Sequence, residues 1–475
     1  MARFLEKIAS FSGNCIVYDD ERYSYADLIE YIKDKSNLLS SLPKGSSVAL
    51  IGDYDIDSIA FLLACYACQM IVAPLNRDEL IGLNVDSDYI NNENLQLLID
   101  SKNIISDKLK QAEIEFIYKD GILKDTGIKR QNIIFSRLKN RAGLVLFSSG
   151  STGKPKAIVH DLDSMLESYI SKRQKSINLL LFLGFDHIGG LNTLFNTLSI
   201  GGLGITISNR KDINALAKVI QDYKIALLPA SPSLLNLMLL SDVAHKYDLS
   251  SLRIITYGSE AIPKSLLIRL KDVFPKVRFH QTFGTSEVGI IQTKSLEDAI
   301  KLENIDYKII NNELFLRPKS SGLGYINSDI AMLDNEGYFA TGDIVQTLKV
   351  EGEEYIKIIA RSKEVINIGG EKALPSEIED VIFELPYIKD CLVYGEKNAI
   401  TGQSVSIKVV LDSSLQVNNM ELKKKIRAYC KDRLAAYKIP SRVCIVDSLD
   451  ISDRFKKERN KTVEIYTGGG GGSTL

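Results

Sequence analysis

A loop rich in glycine and small hydroxyl residues is the first segment of the sequence that could do chemistry. It runs Phe147-Ser-Ser-Gly-Ser-Thr-Gly-Lys-Pro-Lys156, directly after a predicted buried strand at 143–147. Glycine permits the positive φ angles and the close approach that let backbone N–H groups face a chain of phosphates. The loop would add a charge and hydroxyl donors from Lys156, Ser148, Ser149, Ser151 and Thr152. The pattern therefore indicates a phosphate-binding loop.

This loop differs from the P-loop of nucleoside triphosphatases. A P-loop has four residues between its first glycine and the Gly-Lys pair, which Ser or Thr follows. Here only two residues separate Gly150 from Gly153, and Pro155 follows the lysine. The alternative interpretation is a flexible Gly/Ser linker, but a linker is not expected between a buried strand and the apolar pair Ile158-Val159.

The elements that must position this loop alternate between strand and helix. In the first 75 residues we predict strands at 16–18, 23–25 and 47–51, helices at 25–39 and 56–68, and a buried strand reaching residue 73. Further strand-like apolar runs lie at 143–147, 179–183, 204–207, 226–228 and 254–257. Such alternation is typical of α/β architecture with parallel sheets. Short alternating strands at 313–317, 331–333 and 355–359 predict a small antiparallel layer.

A compact α+β segment follows Arg361. It contains a predicted hairpin around Val365, helices at 376–384 and 420–433, and strands at 390–394 and 404–411. We therefore predict an α/β protein with a large N-terminal domain at 1–361, built of parallel and mixed sheets sandwiched with helices. A small mobile α+β domain at 362–466 and a flexible glycine-rich tail at 467–475 complete the predicted organisation.

Charge and composition exclude several classes of protein. Fifty-nine Lys plus Arg against sixty Asp plus Glu give a net charge of −1, whereas nucleic-acid and anionic-membrane binders need a basic face. The six cysteines are too few and too scattered for a disulfide framework. The pair Cys65 and Cys68 lies in an apolar run, which predicts core packing rather than metal binding. Because the N-terminus lacks a signal-peptide pattern and the run at 59–75 is interrupted by Gln69 and Pro74, we expect a cytoplasmic protein without a membrane span.

Together with the segments that follow it, the phosphate loop closely resembles the adenylate-forming superfamily of acyl- and aryl-CoA ligases, nonribosomal-peptide adenylation domains and luciferases. The motifs of that superfamily recur in order as Tyr257-Gly-Ser-Glu-Ala-Ile-Pro263, Phe283-Gly-Thr-Ser-Glu287, Gly324-Tyr325, Tyr338-Phe-Ala-Thr-Gly-Asp343, Ala360-Arg-Ser-Lys-Glu-Val-Ile-Asn-Ile-Gly-Gly-Glu-Lys372, Pro375-Ser-Glu-Ile-Glu379 and Leu434-Ala-Ala-Tyr-Lys-Ile-Pro440. Each motif alone is a weak signal, but their ordered succession to about residue 460 is specific. The resemblance is nearest to a stand-alone acyl- or aryl-CoA ligase.

The resemblance implies a reaction in which a carboxylate attacks the α-phosphate of ATP and expels pyrophosphate. Because an anion approaches an anion, the protein must supply positive charge where negative charge accumulates. The resemblance assigns Thr152 and Lys156 to the β- and γ-phosphates, Ser286 to the α-phosphate and Glu287 to Mg²⁺. Residues that would bind the nucleotide also include Gly150, Gly153, Gly284 and Thr285 of the same motifs.

The resemblance also assigns residues to the nucleoside. Asp343 would accept both ribose hydroxyls and Arg361 would reach the same sugar, whereas a plain turn aspartate is the alternative for Asp343. Phe283 would stack on the adenine or, alternatively, pack in the core. The adenine would be lined by Gly258, Ser259 and Glu260.

Two further segments match the mobile parts of the family. Lys363 corresponds to the hinge about which the small domain turns between two poses, one completing adenylation and one admitting the thiol. Gly369 and Gly370 would let a pantetheine arm pass close to the backbone. An ordinary surface lysine and a simple hairpin turn are the alternative interpretations.

The terminal motif is the weakest match. The family ends in Leu-Pro-x-Thr-x-x-Gly-Lys-x-x-Arg, whose lysine bridges the attacking carboxylate and the α-phosphate, and here the segment reads Leu449-Asp-Ile-Ser-Asp-Arg-Phe-Lys-Lys-Glu-Arg459. The register from Leu449 and Arg459 assigns the catalytic amine to Lys456. The neighbours Lys457 and Arg454 could take the role after a small slip, and a basic solvated helix is the structural alternative.

The segment Phe185-Asp-His-Ile-Gly-Gly190 corresponds to the start of the acyl-pocket helix. In the resemblance His187 matches the histidine of acyl- and aryl-CoA ligases, at a position where amino-acid-activating domains carry an aspartate. This favours an acid without an α-amine, although Asp186 lies one residue away. Gly189 and Gly190 would leave space for the acid, and Tyr257 and Phe283 would offer apolar walls.

The leading hypothesis is an ATP- and Mg²⁺-dependent ligase that activates a small carboxylic acid as acyl-AMP and passes it to coenzyme A. One alternative acceptor is the phosphopantetheine of an acyl or peptidyl carrier protein, with an amino acid as a possible substrate. A catalytically inactive adenylate-binding protein is the alternative from a different class. No nucleic-acid partner is expected.

Overall fold

A computed structural model of the chain describes residues 3–80, 83, 91–148, 155–258, 260–318, 321–450, 452, 456–457 and 459. The helices are α1 (Arg3–Ala9), α2 (Tyr25–Leu39), α3 (Ile56–Ala67), α4 (Asn92–Asp100), α5 (Ile104–Gln111), α6 (Leu162–Ile170), α7 (Ile188–Ser199), α8 (Ile213–Asp222), α9 (Pro232–Leu240), α10 (Val243–Lys246), α11 (Lys264–Val273), α12 (Pro375–Phe383) and α13 (Asn419–Cys430). Short 3-10 turns lie at Arg77–Leu80, Ile133–Leu138, Ser362–Glu364 and Ala436–Lys438.

The strands fall into four sheets. They are β1 (Asn14–Tyr18), β2 (Glu21–Ser24), β3 (Ser47–Gly52), β4 (Ile71–Asn76), β5 (Phe116–Lys119), β6 (Ile122–Asp125), β7 (Gly143–Ser148), β8 (Lys156–Asp161), β9 (Asn178–Leu180), β10 (Leu203–Thr206), β11 (Leu227–Ala230), β12 (Ile254–Tyr257), β13 (Arg278–Gln281), β14 (Phe283–Thr285), β15 (Gly289–Leu296), β16 (Ala299–Glu303), β17 (Asp306–Ile310), β18 (Glu313–Arg317), β19 (Gly324–Tyr325), β20 (Phe339–Val350), β21 (Glu353–Arg361), β22 (Ile366–Ile368), β23 (Glu371–Ala373), β24 (Ile388–Asn398), β25 (Gly402–Leu411) and β26 (Arg442–Ile445).

The first two sheets have parallel interiors. The first has the order β13-β12-β11-β9-β10-β1-β2, and every pairing in it is parallel except β1 with β2. The second has the order β19-β8-β7-β4-β3-β5-β6, with antiparallel pairs at both ends. Helices pack between the two sheets, because one apolar core joins side chains of α2, α3 and α7 to those of β1 and β3.

The other two sheets carry the later motifs. The third, in the order β14-β15-β16-β21-β20-β18-β17, is antiparallel. The fourth, in the order β23-β22-β25-β24 with β26 beside β25, packs against α12 and α13 around its own apolar core. We call residues 362–459 the C-terminal region. The fold class predicted from the sequence is confirmed.

Local signals explain where the site-bearing helices begin. The hydroxyl of Ser231 accepts from the backbone N–H of Leu234, and Pro232 opens α9, so both residues suit a helix start. The imidazole of His187 accepts the N–H of Gly189 and caps α7. By contrast α11 begins after Pro263, which provides no side-chain cap.

Two predicted strands differ from the structure. Residues 331–333 form bends rather than a strand. The run predicted as a strand at 179–183 is extended only over Asn178–Leu180. The chain then leaves the sheet, and Phe182, Leu183 and Gly184 line a cavity instead. The run is apolar, as the sequence shows, but its last residues line a cavity and do not pair as a strand.

The apolar run at 59–75 forms the end of α3 and the strand β4, as predicted. No helix in the described ranges has the length and apolarity needed to cross a membrane. Cys65 is buried in the core beside α2, and the Cys68 thiol lies 3.8 Å from the carbonyl oxygen of Ser36. This agrees with the packing interpretation of the cysteine pair.

Candidate active site

Two neighbouring cavities lie where the third sheet, the first sheet and the C-terminal region meet. The first, which we call the nucleotide cleft, has Phe283, Asp343 and Arg361 among its lining residues. The second, which we call the acyl cavity, has His187 and Lys456 among its lining residues. The two share Gly258, Thr282 and Gly284. Their common wall therefore defines a place where two bound molecules would meet.

Asp343 and Arg361 are direct cross-strand partners. Strand β20 pairs with β21 so that the two residues stand opposite each other, and Arg361 Nε lies 2.7 Å from Asp343 Oδ1. Arg361 also donates to the carbonyl oxygen of Thr341 at 3.1 Å. The second carboxylate oxygen, Oδ2, is buried and accepts no hydrogen bond from any described residue. Burial raises the pKa of Asp343 to about 6, although Arg361 opposes that rise.

A buried carboxylate oxygen without a partner is costly, so its presence beside a cleft points to a ligand that supplies donors. The cross-strand geometry explains why the Thr-Gly-Asp turn and an arginine 18 residues later act together. Gly342 has a φ of +71°, which favours glycine at the turn. The arrangement suits a sugar with two adjacent hydroxyls.

Phe283, Gly258 and Glu260 line the nucleotide cleft, as the adenine assignment requires. Ser259 lies outside the described residues. The carboxylate of Glu260 has contacts that the sequence did not predict. Its Oε2 accepts from the Ser233 hydroxyl at 2.9 Å, and its Oε1 accepts from the backbone N–H of Lys457 at 3.0 Å. Burial raises the pKa of Glu260. Glu260 therefore joins α9 to the C-terminal region through these two hydrogen bonds.

The phosphate end of the site brings together four side chains from three motifs. Ser148 Oγ lies 3.3 Å from Glu287 Oε1, and the Tyr325 hydroxyl lies 3.5 Å from the same oxygen. Lys156 Nζ lies 4.7 Å from the centre of the Tyr325 ring. Residues 149–154 lie outside the described residues, so the predicted contacts of Ser149, Gly150, Ser151, Thr152 and Gly153 stay predictions. Tyr325 lies between Lys156 and Glu287, a position that its motif alone did not predict.

Ser286 and Glu287 form the tip of the turn between β14 and β15. Thr285 stabilises that turn, since its hydroxyl accepts the N–H of Val288 at 3.2 Å. The imidazole of His160 lies behind the tip, hydrogen-bonded to the backbone of Ser286. Burial lowers the pKa of His160 to about 4. A neutral histidine therefore supports the tip from inside the protein.

Glu287 fits the Mg²⁺ assignment in its chemistry. Mg²⁺ is typically held by one or two carboxylates together with waters and substrate phosphates. Glu287 provides one carboxylate, and no described lysine or arginine forms an ion pair with it. Within the described ranges, no group of three or more His, Cys, Asp or Glu side chains could hold a metal ion. A metal at Glu287 would therefore depend on the phosphates as its other ligands.

Lys457 and Arg459 are buried in ion pairs, unlike the side chains of the solvated basic helix considered as an alternative. Lys457 Nζ donates to Asp390 Oδ1 and to the carbonyl oxygen of Cys391, both at 2.7 Å. Arg459 binds both carboxylate oxygens of Glu379 and lies 3.6 Å from a carboxylate oxygen of Glu364. Burial opposes the charge on Lys457, yet Asp390 and Glu379 hold its pKa above the usual range. Both side chains are therefore anchored within the C-terminal region.

The two neighbouring lysines consequently face different surroundings. Lys457 lines the nucleotide cleft with its ammonium group committed to Asp390. Lys456 lines the acyl cavity together with the shared residue Gly284. Of the two lysines, Lys456 is therefore the one whose side chain lies at the acyl cavity.

His187 and Gly189 line the acyl cavity. The other two predicted substrate residues, Gly190 and Tyr257, are not among its lining residues. A Cβ on Gly190 would come 2.1 Å from the carbonyl oxygen of Gly184, so this glycine permits close packing of α7. The hydroxyl of Tyr257 donates to the carbonyl oxygen of Glu297 at 3.4 Å, inside a core. Strand alternation turns Thr256 toward the cavity instead. The predicted contacts of Gly190 and Tyr257 with a substrate stay predictions.

The predicted hinge and thiol-channel residues lie at the surface. Lys363 is exposed in the turn after β21. Gly369 and Gly370 form the tight turn between β22 and β23, with φ angles of +59° and +95°. The hairpin alone explains why glycine is needed there. Their roles in a second pose stay predictions.

A second contact with the C-terminal region was also missed. Asp380 of α12 accepts the backbone N–H of Lys264 at 2.8 Å, and so supplies the cap that α11 lacks. Burial raises the pKa of Asp380 to about 6. No local signal could have revealed this, since the two residues are more than a hundred positions apart.

Comparison with known proteins agrees with this geometry. The family model described as AMP-binding enzyme matches residues 4–337, and the AMP-binding enzyme C-terminal domain matches residues 377–456. The 2-succinylbenzoate–CoA ligase of Bacillus licheniformis is 24% identical over 94% of this chain and 95% of its own length. The 4-coumarate–CoA ligase of Pinus taeda is 27% identical over 64% of this chain and 62% of its own length.

A solved structure supports the fold over nearly the whole chain. It is the anthranilate CoA ligase AuaEII in complex with anthranoyl-AMP, with a TM-score of 0.77 and 19% identity, covering 97% of this chain and 96% of that one. The chain belongs to the AMP-binding enzyme family. It is an enzyme of the AMP-forming acyl- and aryl-CoA ligase type, as the sequence predicted.

Proposed function

We propose that this enzyme activates a carboxylic acid with ATP and transfers the acyl group to the thiol of coenzyme A. The observation that carries the proposal is the pair of adjoining cavities with Lys456 at their boundary. One cavity carries a carboxylate suited to a ribose, and the other is a largely apolar space beside it. A carboxylic acid in the second would meet the α-phosphate of a nucleotide in the first.

In the first half-reaction a carboxylate oxygen of the acid bonds to the α-phosphorus of ATP. The bond from that phosphorus to the bridging oxygen breaks, and pyrophosphate leaves with the electron pair. The ammonium group of Lys456 is proposed to contact both the attacking carboxylate and the α-phosphate, which offsets their repulsion. Ser286, on a turn tip backed by His160, is proposed to donate to the α-phosphate.

The other nucleotide groups have proposed partners along the cleft. The unpartnered Oδ2 of Asp343 would accept from the ribose, with Arg361 fixing the carboxylate. Phe283 would contact the adenine face. Lys156 and Thr152 would contact the outer phosphates, and Glu287 would hold Mg²⁺, whose charge lowers the repulsion between the anions when it is bound.

In the second half-reaction the sulfur of a thiol bonds to the carbonyl carbon of the acyl-AMP. The bond from that carbon to the phosphate oxygen breaks, AMP leaves, and the thiol proton passes to solvent. The exposed turn at Gly369 and Gly370 and the hinge at Lys363 are proposed to act in a second pose that admits this thiol. The acceptor is proposed to be coenzyme A, with carrier-protein phosphopantetheine as the competing acceptor.

Acid-dependent exchange of labelled pyrophosphate into ATP tests the first half-reaction. We expect exchange that requires both an acid and Mg²⁺, and its absence with every acid of a broad panel would contradict the proposal. The relatives suggest where the panel begins, with 2-succinylbenzoate and 4-coumarate. Thioester formation with coenzyme A and with a phosphopantetheinylated carrier protein, measured side by side, then identifies the acceptor.

A further inference from the structure

The acyl cavity has a neutral lining apart from one side chain. Its walls include Phe182, Ile188, Pro229, Ala230 and Ile290, together with glycines of the loops around them. The polar groups are the hydroxyls of two threonines and the ring of His187. Among the described lining residues there is no Asp, Glu or Arg, and Lys456 is the single lysine.

Lys456 is committed to the reacting end of the substrate if the proposed function holds. The acyl cavity shares Gly258, Thr282 and Gly284 with the nucleotide cleft, so the reacting end of the substrate belongs at that wall. A second carboxylate farther along the substrate would find no other cation among the described lining residues. An unpaired carboxylate removed from water is strongly disfavoured.

An ammonium group on the substrate would also find no carboxylate among the described lining residues. The two acidic residues nearest in sequence or space lie outside that lining. Asp186 is buried but is not one of the lining residues, and Glu260 faces the nucleotide cleft, where it accepts from Ser233 and Lys457. A cationic substituent in the acyl cavity would lose hydration without gaining a counter-charge.

We infer that the substrate is a monocarboxylic acid whose body is uncharged, and not a dicarboxylic acid or an amino acid. This inference rests on the proposed function for the identity of the site, but it concerns only the chemistry of the acyl cavity. Replacing Ile290 by a charged residue would add a charge to the wall of that cavity. It is 37% exposed at the cavity wall, so a longer polar side chain can be accommodated there.

Binding of non-hydrolysable acyl-sulfamoyl adenosines tests the inference without catalysis. Three ligands of nearly equal size carry 4-methylbenzoyl, 4-carboxybenzoyl and 4-(aminomethyl)benzoyl groups, and calorimetry gives their affinities for the full-length enzyme. We expect the methyl compound to bind at least about 100-fold more tightly than either charged one. Equal or tighter binding of a charged compound, or no binding of the methyl compound, would overturn the inference.

The variant Ile290→Lys adds an ammonium group to the cavity wall, and Ile290→Met is its neutral control of similar length. We expect Ile290→Lys to shift the ratio of 4-carboxybenzoyl to 4-methylbenzoyl affinity by about tenfold or more toward the acid. The control should leave that ratio unchanged. An unchanged ratio in Ile290→Lys would show that the cavity does not hold the acyl group, and would overturn the inference.

Pyrophosphate exchange with 4-methylbenzoate, terephthalate and 4-(aminomethyl)benzoate separates this inference from the proposed function. Exchange that is fastest with terephthalate or 4-(aminomethyl)benzoate would leave the ligase proposal standing and overturn the inference. Absence of exchange with every acid, together with selective binding of the methyl analogue, would contradict the ligase proposal and support the cavity chemistry. Exchange that is fastest with 4-methylbenzoate supports both.

Discussion

The nucleotide cleft and the acyl cavity adjoin each other but have different chemical character. The cleft has seven ionisable side chains in its lining: Glu260, Asp343, Arg361, Glu364, Glu379, Lys457 and Arg459. The described lining of the acyl cavity has only Lys456 and the imidazole of His187. Fixed charges define the nucleotide half, whereas shape and the absence of charge define the acyl half.

Under the proposed function, this difference follows from what each half has to recognise. ATP always presents the same ribose and phosphates, so donors and acceptors held by paired strands can be placed for them in advance. An acid is distinguished mainly by its size and charge, which cavity walls can select. Changes in the cleft should therefore affect every acid alike, whereas changes in the cavity should alter the choice of acid and leave ATP binding unchanged.

The largest expected effect is on stability, from the buried pair of Lys457 and Asp390. Their side chains are only 12% and 5% exposed, so Lys457→Met leaves a buried carboxylate without its cation. We expect a loss of about 3–5 kcal/mol in the free energy of unfolding of the C-terminal region, measured by denaturant titration.

The double variant Lys457→Met/Asp390→Leu should recover most of that loss, because it removes both charges. Lys218→Met, which breaks an exposed pair with Asp222 on α8, provides the matched control and should not change stability measurably. If Lys457→Met and Lys218→Met have the same free energy of unfolding, the structural role of Lys457 is contradicted. Lys457 would then again be a candidate for the catalytic amine.

Lys456→Ala tests the other lysine, at the boundary of the two cavities. Loss of a charge that stabilises the transition state typically costs about 2.7–4 kcal/mol, or roughly a hundred- to thousandfold in rate. We expect pyrophosphate exchange to fall by that factor while ATP affinity, measured by calorimetry, stays within about threefold. The control is Lys424→Ala at an exposed position of α13, and wild-type exchange in Lys456→Ala would refute the assignment.

The third prediction concerns the unpartnered carboxylate oxygen of Asp343. Hydrogen bonds to charged groups typically contribute about 1.5–3 kcal/mol. Asp343→Asn should therefore lower the affinity for ATP about 10- to 150-fold. The factor should be the same in the presence of every acid that the enzyme accepts. The control is Asp306→Asn, which removes an exposed pair with Arg317. If the effect of Asp343→Asn on ATP affinity depends on the acid, the nucleotide cleft and the acyl cavity do not act independently.

The nucleotide half was largely predictable from the sequence, and the reason is physical. Asp343, Arg361, Glu287 and Phe283 have side chains whose chemistry is recognisable, and each lies in a short motif whose spacing a turn or hairpin fixes. The structure brings Asp343 and Arg361 together by pairing β20 with β21. Strand patterns in the α/β part were predictable for the same reason, since their apolar runs are local.

What the sequence did not reveal depends on distant partners or on side-chain direction. The burial of Lys457 requires Asp390, 67 positions away, and the cap of α11 comes from Asp380. Tyr257 and Gly190 have suitable residue types but point into a core and a helix contact. The acyl cavity is built mostly from loops of ordinary apolar residues, and the strand predicted to reach residue 183 ends at Leu180 for that reason.

The smallest expected effect is a dependence of ATP binding on pH. Burial raises the pKa of Asp343 to about 6 in the free enzyme, and the ionised carboxylate is a stronger acceptor for ribose hydroxyls than the neutral acid. With that pKa the ionised fraction falls from nearly all at pH 7.5 to about a quarter at pH 5.5. Affinity for the nucleotide should therefore decrease about fourfold as the pH falls across this range, and calorimetry with adenosine measures this change because adenosine lacks titrating phosphates.

Asp380 has a pKa in the same range and joins the C-terminal region to α11, so the profile needs a control. His160 has a pKa of about 4 and stays neutral over most of this range. Asp343→Asn should bind adenosine weakly and equally at both pH values, whereas Asp380→Asn should keep the fourfold change. If the change survives in Asp343→Asn and disappears in Asp380→Asn, the titrating group belongs to the contact between α11 and α12 and not to the ribose site.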